Sequence, residues 1–359
     1  MSSRPLRAIV DLEALRNNVT LTKEMSGEAR AFGVVKADGY GHGLRRIYPG
    51  LSGLDGLAVL EIGSAIELRE LGDNRPILLL EGVFGSAELK LASEHQLSVV
   101  VYSMEQVDLL LQSRETTRID VFVKVNTGMN RLGLSLIDLL QVCRLLAEAP
   151  IVSTVTVMTH YADADGERGI DWQDKRLLTV DGICDFDQSR SNSAALICFG
   201  AKGQSWVRPG MMLYGVSPIE GRTARSIGLK PVMTLVSKII ATQQLDAGDR
   251  VGYGGAFTAS HSMRIGIVAG GYGDGYPRSA THRTPVLVSG KKASVIGRVS
   301  MDTVAIDLTH APQSQIGSPV TLWGEGLPVE DVARSAGTIG YELVTRLNAR
   351  VPVEIIGEL

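Results

Sequence analysis

The amino-acid sequence predicts an α/β protein in which an N-terminal (β/α)8 barrel is followed by a smaller, mainly antiparallel β domain. Three observations support this fold class. Up to about residue 215, short apolar runs alternate with segments of helical periodicity, which is the pattern of repeated βα units around a parallel sheet. Beyond residue 228, short strands separated by glycine-rich turns replace that alternation. The chain has 359 residues, more than one hydrophobic core usually accommodates, so two domains are expected.

The barrel strands are predicted where apolar residues follow one another directly, because strands of a parallel barrel are buried on both faces. In chain order these runs are Ala31–Lys36, Gly56–Leu60, Pro76–Glu81, Leu97–Tyr102, Ile119–Val125, Thr154–His160, a weak run ending near Ser193, and Met211–Tyr214. The segments between them, such as EIGSAIELRELG and SLIDLLQVCRLLAEA, place apolar residues three and four positions apart, which predicts helices. Eight strand candidates favour a closed TIM-like barrel over an open sheet, and we assign residues 1–228 to this domain.

The second domain, residues 229–359, is predicted from a change of pattern after the polar segment SPIEGRTARSIGLKP. Its short strands alternate polar and apolar residues, or run apolar, between turns such as AGD, SGKK and GEG. The strand candidates are Val232–Thr242, Arg264–Ala269, Pro285–Val288, Ala293–Gly297, Thr303–Asp307, Pro319–Leu322 and Val351–Ile356. One helix is predicted at about Val329–Ala336. These elements indicate a small antiparallel β domain.

Composition and charge exclude several classes of protein. The net charge is -3, with 36 Lys and Arg scattered among 39 Asp and Glu, so the chain offers no basic stripe for a phosphate backbone. No apolar run approaches the ~18 residues of a membrane span, and the N-terminal apolar run is too short for a secretory signal. Three cysteines without C-x-x-C spacing do not suggest a metal site. We therefore expect a cytoplasmic protein with no nucleic-acid, membrane or metal partner.

Polar residues recur at the ends of the predicted barrel strands, where the active sites of such barrels form. Lys36 closes the run AFGVVK and precedes a glycine-rich turn, and Lys124 lies within the apolar strand VFVKV. The others are Arg131, His160, Asn192, Ser193 and Arg208, the last standing just before the predicted eighth strand. Each alone has an ordinary alternative, such as a lysine reaching water, a hydrogen-bonded core histidine or an ion-paired arginine. Because these residues stand at successive strand ends, together they predict one shared site at the barrel mouth.

Nine short motifs follow one another from Lys36 to Leu347: KADGYGHG, KVNTGMNRLG, MTHYADAD, SNSAA, WVRPGMMLYGVSP, VGYGGAF, GYGDGYPR, GRVSMD and GYELVTRL. In this order they resemble the motifs of alanine racemases over nearly the whole chain. The resemblance implies a fold-type III pyridoxal-phosphate enzyme that interconverts L-alanine and D-alanine, in a head-to-tail homodimer with two shared active sites. It also implies that the first strand, Leu6–Val10, pairs with the β domain. Enzymes with these motifs serve either peptidoglycan synthesis or alanine catabolism, and the motifs admit both roles.

The resemblance assigns the proton-transfer roles. Lys36 would carry pyridoxal phosphate as a Schiff base, which requires an amine that is partly unprotonated, and a shielded position near cations lowers the pKa of a lysine in that direction. Its freed amine would move the α-proton on one face of the substrate, and Tyr253 of the other subunit would act on the opposite face. His160 and Arg208 would support the Tyr253 phenolate. From the sequence alone, Tyr253 could equally be a hairpin aromatic.

Arg208 also resembles the residue that faces the pyridine nitrogen of the cofactor. A guanidinium does not readily give up a proton, so that nitrogen would stay unprotonated and the ring would be a weaker electron sink. With a weaker electron sink, a proton would return rapidly to the substrate Cα, which favours racemisation over transamination. The phosphate is expected at the loops after strands seven and eight, as in many such barrels. The other cofactor contacts implied by the resemblance are Tyr40, Arg131, His160, Asn192, Ser193, Gly210, Met211 and Tyr341.

The resemblance implies substrate contacts as well. Arg131 and a backbone N–H of Met301 from the other subunit would hold the substrate carboxylate, and Lys124 corresponds to a lysine that is carbamylated in some members. Carbamylation of Lys124 is a hypothesis, and it would convert a costly buried cation into an anion paired with Arg131. The substrate would also contact Tyr253 and Tyr272. A narrow access path that excludes side chains much larger than methyl would be lined by Asp165, Tyr272, Arg278, Arg298 and Tyr341.

Some positions depart from the family pattern or keep an alternative interpretation. Gly39 stands where many relatives carry alanine, which loosens the turn after Lys36. Ser189 stands where some relatives carry histidine, which leaves the outer support of Arg208 open. Tyr276, in the motif GYGDGYPR, could equally be a core aromatic.

Two rival functions share parts of this architecture. A carrier of pyridoxal phosphate built from the barrel alone would need neither Tyr253 nor a β domain of this size. A fold-type III decarboxylase would carry a cysteine-bearing motif in its second domain, whereas all three cysteines of this sequence precede residue 200. Both features favour a racemase over its two rivals.

Overall fold

The structure, a computed structural model, describes residues 4–280 and 282–357. It contains a closed eight-stranded parallel barrel and a mainly antiparallel β domain, so the predicted fold class is confirmed. The outermost residues of the predicted ranges 1–228 and 229–359, together with residue 281, lie outside the described residues. Within the described segments, no helix is long and apolar enough to cross a membrane.

The chain starts in the β domain before it enters the barrel. Strand β1 (Arg7–Asp11) pairs antiparallel with the strand Met233–Leu245 and parallel with the strand Val353–Ile356. Its last residue, Asp11, caps helix α1 (Leu12–Ser26), because its carboxylate accepts hydrogen bonds from two N–H groups of the first turn. The first strand therefore joins the sheet of the second domain, as the resemblance implied.

Eight parallel strands close the barrel, each hydrogen-bonded to the next, and the last returns to the first. They are β2 (Arg30–Val34), β3 (Gly56–Val59), β4 (Ile77–Leu79), β5 (Ser98–Val101), β6 (Ile119–Lys124), β7 (Val152–Met158), β8 (Asp187–Ser189) and β9 (Trp206–Val207). Large side chains fill the interior: Phe32 stacks on Trp206 at 3.8 Å between ring centroids and meets Phe122 edge-on at 5.7 Å. The interior is therefore a packed core, and a ligand site belongs at one of its ends.

Helical segments follow the barrel strands. They are α2 (Lys36–Tyr40), α3 (Leu44–Ile47), α4 (Ile62–Glu70), α5 (Ser86–Glu94), α6 (Met104–Leu111), α7 (Leu136–Ala147), α8 (Asp171–Leu177), α9 (Ser193–Phe199) and α10 (Ala224–Ile227). In α7 the N-cap is Ser135, and the helix buries Leu139, Val142 and Leu146. The spacing of these apolar residues by three and four is the pattern from which the helix was predicted.

The end of the barrel differs from the prediction. The seventh strand ends at Ser189 rather than near Ser193, and the eighth is Trp206–Val207. The segment Met211–Tyr214, predicted as the eighth strand, is a buried 3-10 helix. That prediction was wrong because a run of four apolar residues does not distinguish a strand from a buried helical turn. Arg208 consequently follows the eighth strand directly instead of preceding it.

The β domain is built around one long strand. Its elements are β10 (Met233–Leu245), β11 (Arg250–Val251), β12 (Phe257–Thr258), β13 (Met263–Ala269), β14 (Pro285–Val288), β15 (Lys291–Ile296), β16 (Thr303–Asp307), β17 (Pro319–Trp323), α11 (Val329–Ser335), α12 (Gly340–Thr345) and β18 (Val353–Ile356). Strands β10, β13, β16, β15, β14 and β17 pair in a closed circuit. The short elements β11, β12 and α12 were not predicted. Tyr276 is buried in the core of this domain and stacks on Trp323 at 5.9 Å, so its alternative as a core aromatic is the one observed.

Candidate active site

A cavity of about 680 Å³ opens at the C-terminal ends of the barrel strands and is bounded on one side by residues of α12. Polar residues from six of the eight barrel strands or their following loops line it. Of the residues singled out in the sequence, the cavity brings together Lys36, Tyr40, Lys124, Arg131, His160, Asp165, Asn192, Ser193, Arg208, Gly210, Met211 and Tyr341. Residues that are far apart along the chain therefore share one site, at the end of the barrel where strand-end side chains meet.

Five residues implied by the resemblance do not line this cavity. Tyr253, Tyr272 and Met301 lie on the surface of the β domain, where they are 73%, 37% and 52% exposed. Tyr253 belongs to a short 3-10 turn between β11 and β12, which places it at the tip of a hairpin. Arg278 and Arg298 are exposed and line a separate cavity of about 230 Å³. Within a single chain, none of these five side chains lines the cavity that contains Lys36.

An unusual backbone turn carries Lys36. Strand β2 ends at Val34, two residues before Lys36, and residues 37–40 then adopt φ angles between 51° and 61°. Three of these four residues are not glycine, and a left-handed conformation costs such a residue about 1–2 kcal/mol. Gly39 is the exception. An alanine Cβ at that position would lie 2.5 Å from Cδ1 of Ile47, so the departure from the family pattern relieves a steric contact in this chain.

Two side chains stabilise this turn. Oδ1 of Asp38 accepts the N–H of Leu44 at 2.7 Å. Nδ1 of His42 donates to the carbonyl oxygens of Gly39 and Tyr40 at 3.0 and 2.9 Å. Burial lowers the pKa of His42 to about 4, so the imidazole is neutral at physiological pH. Neither residue was assigned a role from the sequence, although both belong to the motif KADGYGHG.

The amine of Lys36 has a lowered pKa. Burial is the largest cause and the positive charge of Arg131 adds to it, while the carboxylates of Glu81 and Glu61 oppose them. A larger fraction of the amine is therefore neutral than in an exposed lysine, and the neutral amine is the form that acts as nucleophile or base. Glu81 also lines the cavity, although it was not singled out in the sequence. Its position at the end of the predicted strand Pro76–Glu81 could have identified Glu81 as a candidate site residue.

Two further basic groups of the cavity, Lys124 and His160, also have lowered pKa values. Burial, with Arg208 and Arg131, lowers the pKa of Lys124 to about 8. Burial and then the charge of Arg208 hold the pKa of His160 well below its usual value, so its imidazole is neutral. The Nδ2 of Asn192 lies 3.5 Å from Nε2 of this imidazole. Four basic side chains, Lys36, Lys124, Arg131 and Arg208, line the cavity together with three carboxylates, and a cluster of this kind favours ligands that carry phosphate or carboxylate groups.

Arg208 is anchored by neutral oxygen atoms. Nη1 donates to Oγ of Ser189 at 2.6 Å, and Nη2 donates to the carbonyl oxygens of Thr159 and Arg190 at 2.6 and 3.4 Å. In the described part of the chain, no carboxylate forms an ion pair with this guanidinium. Burial lowers its pKa to about 10, so it stays charged at neutral pH. Ser189 thus supplies the outer support that the sequence left open.

Tyr40, which follows β2, meets Ser193 and Gly210 from the loops after β8 and β9. We call these three residues the phosphate corner, after the group that the resemblance in sequence implies for them. Oγ of Ser193 accepts the N–H of Gly210 at 2.8 Å. A Cβ on residue 210 would lie 2.7 Å from the hydroxyl oxygen of Tyr40. The ring of Tyr40 packs against those of Tyr214 and Tyr341, with centroids 4.8 and 6.3 Å away. Hydroxyl groups and backbone N–H groups converge at this corner, and such donors bind phosphate.

Two family models match the chain. The one described as the N-terminal domain of alanine racemase matches residues 10–218, and the one described as its C-terminal domain matches residues 232–355. The alanine racemase of Nitrosomonas eutropha is 48% identical over 97% of this chain and 98% of its own length. That of Paraburkholderia phytofirmans is 45% identical over 98% of this chain and 99% of its own length.

Solved structures agree with the sequence relatives. The biosynthetic alanine racemase of Pseudomonas aeruginosa matches with a TM-score of 0.95 at 41% identity, over 99% of this chain and 100% of that one. The alanine racemase of Acinetobacter baumannii matches with a TM-score of 0.93 at 38% identity, over 98% of this chain and 100% of that one. The resemblance carried by the nine motifs is confirmed. This chain belongs to the alanine racemase family.

Proposed function

We propose that this protein interconverts L-alanine and D-alanine with pyridoxal phosphate held by Lys36, as a homodimer whose two active sites are shared. The observation that carries the proposal is the cavity at the barrel mouth, where an amine of lowered pKa meets cationic side chains and a phosphate corner. Full-length relatives named alanine racemase at 42–48% identity support the choice of substrate. Peptidoglycan synthesis and alanine catabolism would both use this reaction.

The residues of the cavity fit pyridoxal phosphate. The phosphate corner would hold the phosphate group, and glycine at position 210 leaves the space that a Cβ would fill. Arg208 would face the ring nitrogen, and the neutral contacts of this guanidinium leave its charge available. Met211 and Asn192 complete the wall on this side. When bound, the cofactor would supply an aldehyde that reacts with the Lys36 amine and a ring that withdraws electrons from the substrate Cα.

The side chains around Lys36 have separate tasks. Because part of the Lys36 amine is neutral, it can take a proton from the substrate Cα on one face and return it. Arg131 would bind the substrate carboxylate, since it lines the same cavity and carries a permanent positive charge. Arg208 would keep its own proton and leave the ring nitrogen unprotonated. This combination favours return of a proton to Cα, which is the outcome that racemisation requires.

Inversion also needs an acid/base group on the opposite face of the substrate. Tyr253 is a candidate, but it lies on the surface of the β domain and does not line the cavity of its own chain. A second copy docked head to tail would bring Tyr253 and Met301 to the cavity that contains Lys36. Exposed tyrosine and methionine side chains are typical of protein interfaces. The neutral imidazole of His160 could then accept the hydrogen bond of the Tyr253 hydroxyl.

The access path would be built from both chains. Asp165 and Tyr341 line the cavity, whereas Tyr272, Arg278 and Arg298 lie on the β domain and would come from the partner. Bulky rings and guanidinium groups around a narrow passage would admit the methyl side chain of alanine and obstruct larger ones.

The proposal is tested by incubating the purified, cofactor-loaded protein with L-alanine and measuring D-alanine and carbon dioxide. We expect D-alanine to form until the two enantiomers are equal, without release of gas. Tight cofactor binding without inversion would indicate a non-catalytic carrier of pyridoxal phosphate. Release of carbon dioxide would indicate a decarboxylase. Either result would overturn the proposal.

Replacement of Gly210 by alanine is expected to weaken the binding of pyridoxal phosphate by at least about tenfold, because the new methyl group would crowd the hydroxyl of Tyr40. The matched control is Gly63→Ala in α4, where nothing lies within 4 Å of the added Cβ. Cofactor affinity is measured by equilibrium dialysis, and thermal unfolding of both apoproteins checks the fold. An unchanged affinity in Gly210→Ala would contradict the phosphate corner.

The neutral amine of Lys124 is expected to bond to the carbon atom of carbon dioxide and to release one proton to water, which gives a carbamate. Only the neutral amine reacts, and the pKa of Lys124 is lowered to about 8 by burial, so the reactive fraction grows as the pH rises through that value. The anionic product would pair with Arg131 and offset the positive charge of the cavity. Carbon-13 bicarbonate should give a carbamate NMR signal that grows with pH and is absent from Lys124→Met. A native mass without an added carboxyl group would argue against the modification.

A further inference from the structure

The carboxylate of Asp274 takes no part in the proton transfers described above, yet it is the buried centre of an ionic cluster whose other members are partly exposed. Nη1 and Nη2 of Arg4 donate to its two oxygens at 2.6 and 2.9 Å, and Nε of Arg350 donates to Oδ1 at 2.7 Å. The side chain of Asp274 is 0% exposed, whereas that of Arg350 is 42% exposed. Burial alone would raise the pKa of Asp274, but hydrogen bonds from Arg4, the N–H of Gly271 and Arg350 outweigh it and lower the pKa. The carboxylate is therefore ionised.

The cluster joins four parts of the chain that are distant in sequence. Arg4 precedes β1, Asp274 follows β13, Asp302 precedes β16, and Arg350 precedes β18. Nη2 of Arg4 donates to the carbonyl oxygen of Asp302 at 2.7 Å. Nη2 of Arg350 donates to Oδ1 of Asp302 at 2.7 Å and to the carbonyl oxygen of Met301 at 3.4 Å. Arg4 and Arg350 therefore each bridge the loop that contains Asp274 and the loop that contains Asp302.

These two loops carry Tyr272 and Met301. The N–H of Tyr272 donates to the carbonyl oxygen of Ser300 at 3.1 Å, and the N–H of Gly273 donates to that of Met301 at 2.9 Å. A Cβ on Gly271 would collide with the carbonyl oxygens of Ser300 and Met301, so the loop backbones are in direct contact. The exposed side chains of Tyr272 and Met301 therefore project from one surface, which these two loops form together.

We propose that Asp274 is a positioning residue that acts across the subunit interface: with Arg350, it sets the place of Tyr272 and Met301, which complete the site in the partner's barrel. This inference rests on the shared-site homodimer of the proposed function. A buried ion pair adds little net stability compared with apolar packing. Charge-assisted bonds from two arginines do, however, fix the orientation of the groups that they join.

The first test uses the homodimeric variants Asp274→Asn and Arg350→Met, of which the second removes a half-exposed side chain and disturbs folding less. We expect kcat/KM for alanine to fall by about 10- to 100-fold, because a displacement of ~1 Å at a reacting site can cost that much. The visible absorbance of the bound cofactor should stay, since Lys36 lies in the other domain. The matched control is Arg334→Met, which removes an exposed ion pair with Asp331 and should retain wild-type kcat/KM. Wild-type kcat/KM in both cluster variants would overturn the inference.

The second test asks in which subunit the cluster acts, and uses co-expressed heterodimers purified through two different tags. A Lys36→Ala chain paired with an Arg350→Met chain contains one site in which an intact Lys36 faces intact loops, so about half of the wild-type activity is expected. A chain carrying both substitutions, paired with a wild-type chain, has the same composition but no intact site, and should be nearly inactive. The reverse order of activities would show that the cluster acts within its own subunit and would overturn the inference.

A third heterodimer separates this inference from the proposed function. Lys36→Ala paired with Tyr253→Phe should also recover about half of the wild-type activity, because it too leaves one intact shared site. If this pair recovers activity but the pair of Lys36→Ala with Arg350→Met does not, the role of the cluster is wrong and the shared-site homodimer stands. If neither pair recovers activity, the shared-site homodimer itself is wrong, and this inference falls with it.

Discussion

Replacement of Lys36 by alanine is expected to slow racemisation by about 10⁴-fold or more, because one change removes both the attachment point of the cofactor and an acid/base group. The visible absorbance of the bound cofactor should disappear with the activity. The fold should survive, since the turn that follows Lys36 is stabilised by Asp38 and His42 rather than by the lysine amine. A coupled D-alanine assay, a visible spectrum and a thermal unfolding curve measure the three effects.

The control for this variant is Lys90→Ala, which removes an exposed lysine of α5 that pairs with Glu94. Its activity and spectrum should match those of the wild type. Borohydride reduction of the wild-type protein, followed by peptide mass mapping, should find the cofactor on the peptide that contains Lys36. Attachment to another lysine, or none at all, would contradict the assignment of the site.

Replacement of Tyr253 by phenylalanine is expected to lower the kcat of racemisation by about 10²- to 10⁴-fold, which is the usual contribution of a positioned acid/base group. Phenylalanine keeps the ring but can neither donate nor accept a proton. The absorbance of the bound cofactor should stay, because Lys36, which would hold the cofactor, is unchanged and the ring of residue 253 is kept. In deuterated water, Lys36 should still exchange the α-proton on its own face, so only one enantiomer of alanine should incorporate deuterium.

The matched control is Tyr48→Phe, which removes the hydroxyl of a tyrosine that does not line the cavity. We expect this variant to racemise alanine at the wild-type rate. Deuterium exchange into both enantiomers by Tyr253→Phe, at rates like those of the wild type, would rule out Tyr253 as the second acid/base group.

Most of the barrel could be predicted because its strands are continuous apolar runs. The prediction Ile119–Val125 differs from the observed β6 by one residue. The last two strands, β8 and β9, are only three and two residues long, too short for a hydrophobic pattern to define. The buried run Met211–Tyr214 was taken as a strand for the same reason. Burial follows from the sequence there, but the choice between strand and helical turn depends on tertiary packing.

The candidate active site, like the barrel, could be predicted only in part. Strand-end residues such as Lys36 and His160 could be predicted, because the topology of a parallel barrel brings these positions together. The roles of His42 and Asp38 could not, since they depend on a left-handed turn that propensities disfavour. The exposed tyrosine Tyr253 could be singled out only by resemblance to a family. A contact between two chains leaves no periodic pattern in the sequence of either one.

Because β1 belongs to the sheet of the β domain, the two domains are joined by two covalent connections. Its residues Ala8 and Val10 are fully buried between β10 and β18, although they precede the barrel in the chain. The polypeptide therefore crosses between the domains twice, once on leaving β1 and once on entering β10. Two covalent connections resist the rotation that a single hinge would permit. A chain cut after residue 228 would leave β1 on the barrel fragment, without its partner strands β10 and β18. The β-domain fragment would lack β1, and the edges of β10 and β18 would be unpaired. Neither fragment is therefore expected to fold as an independent domain.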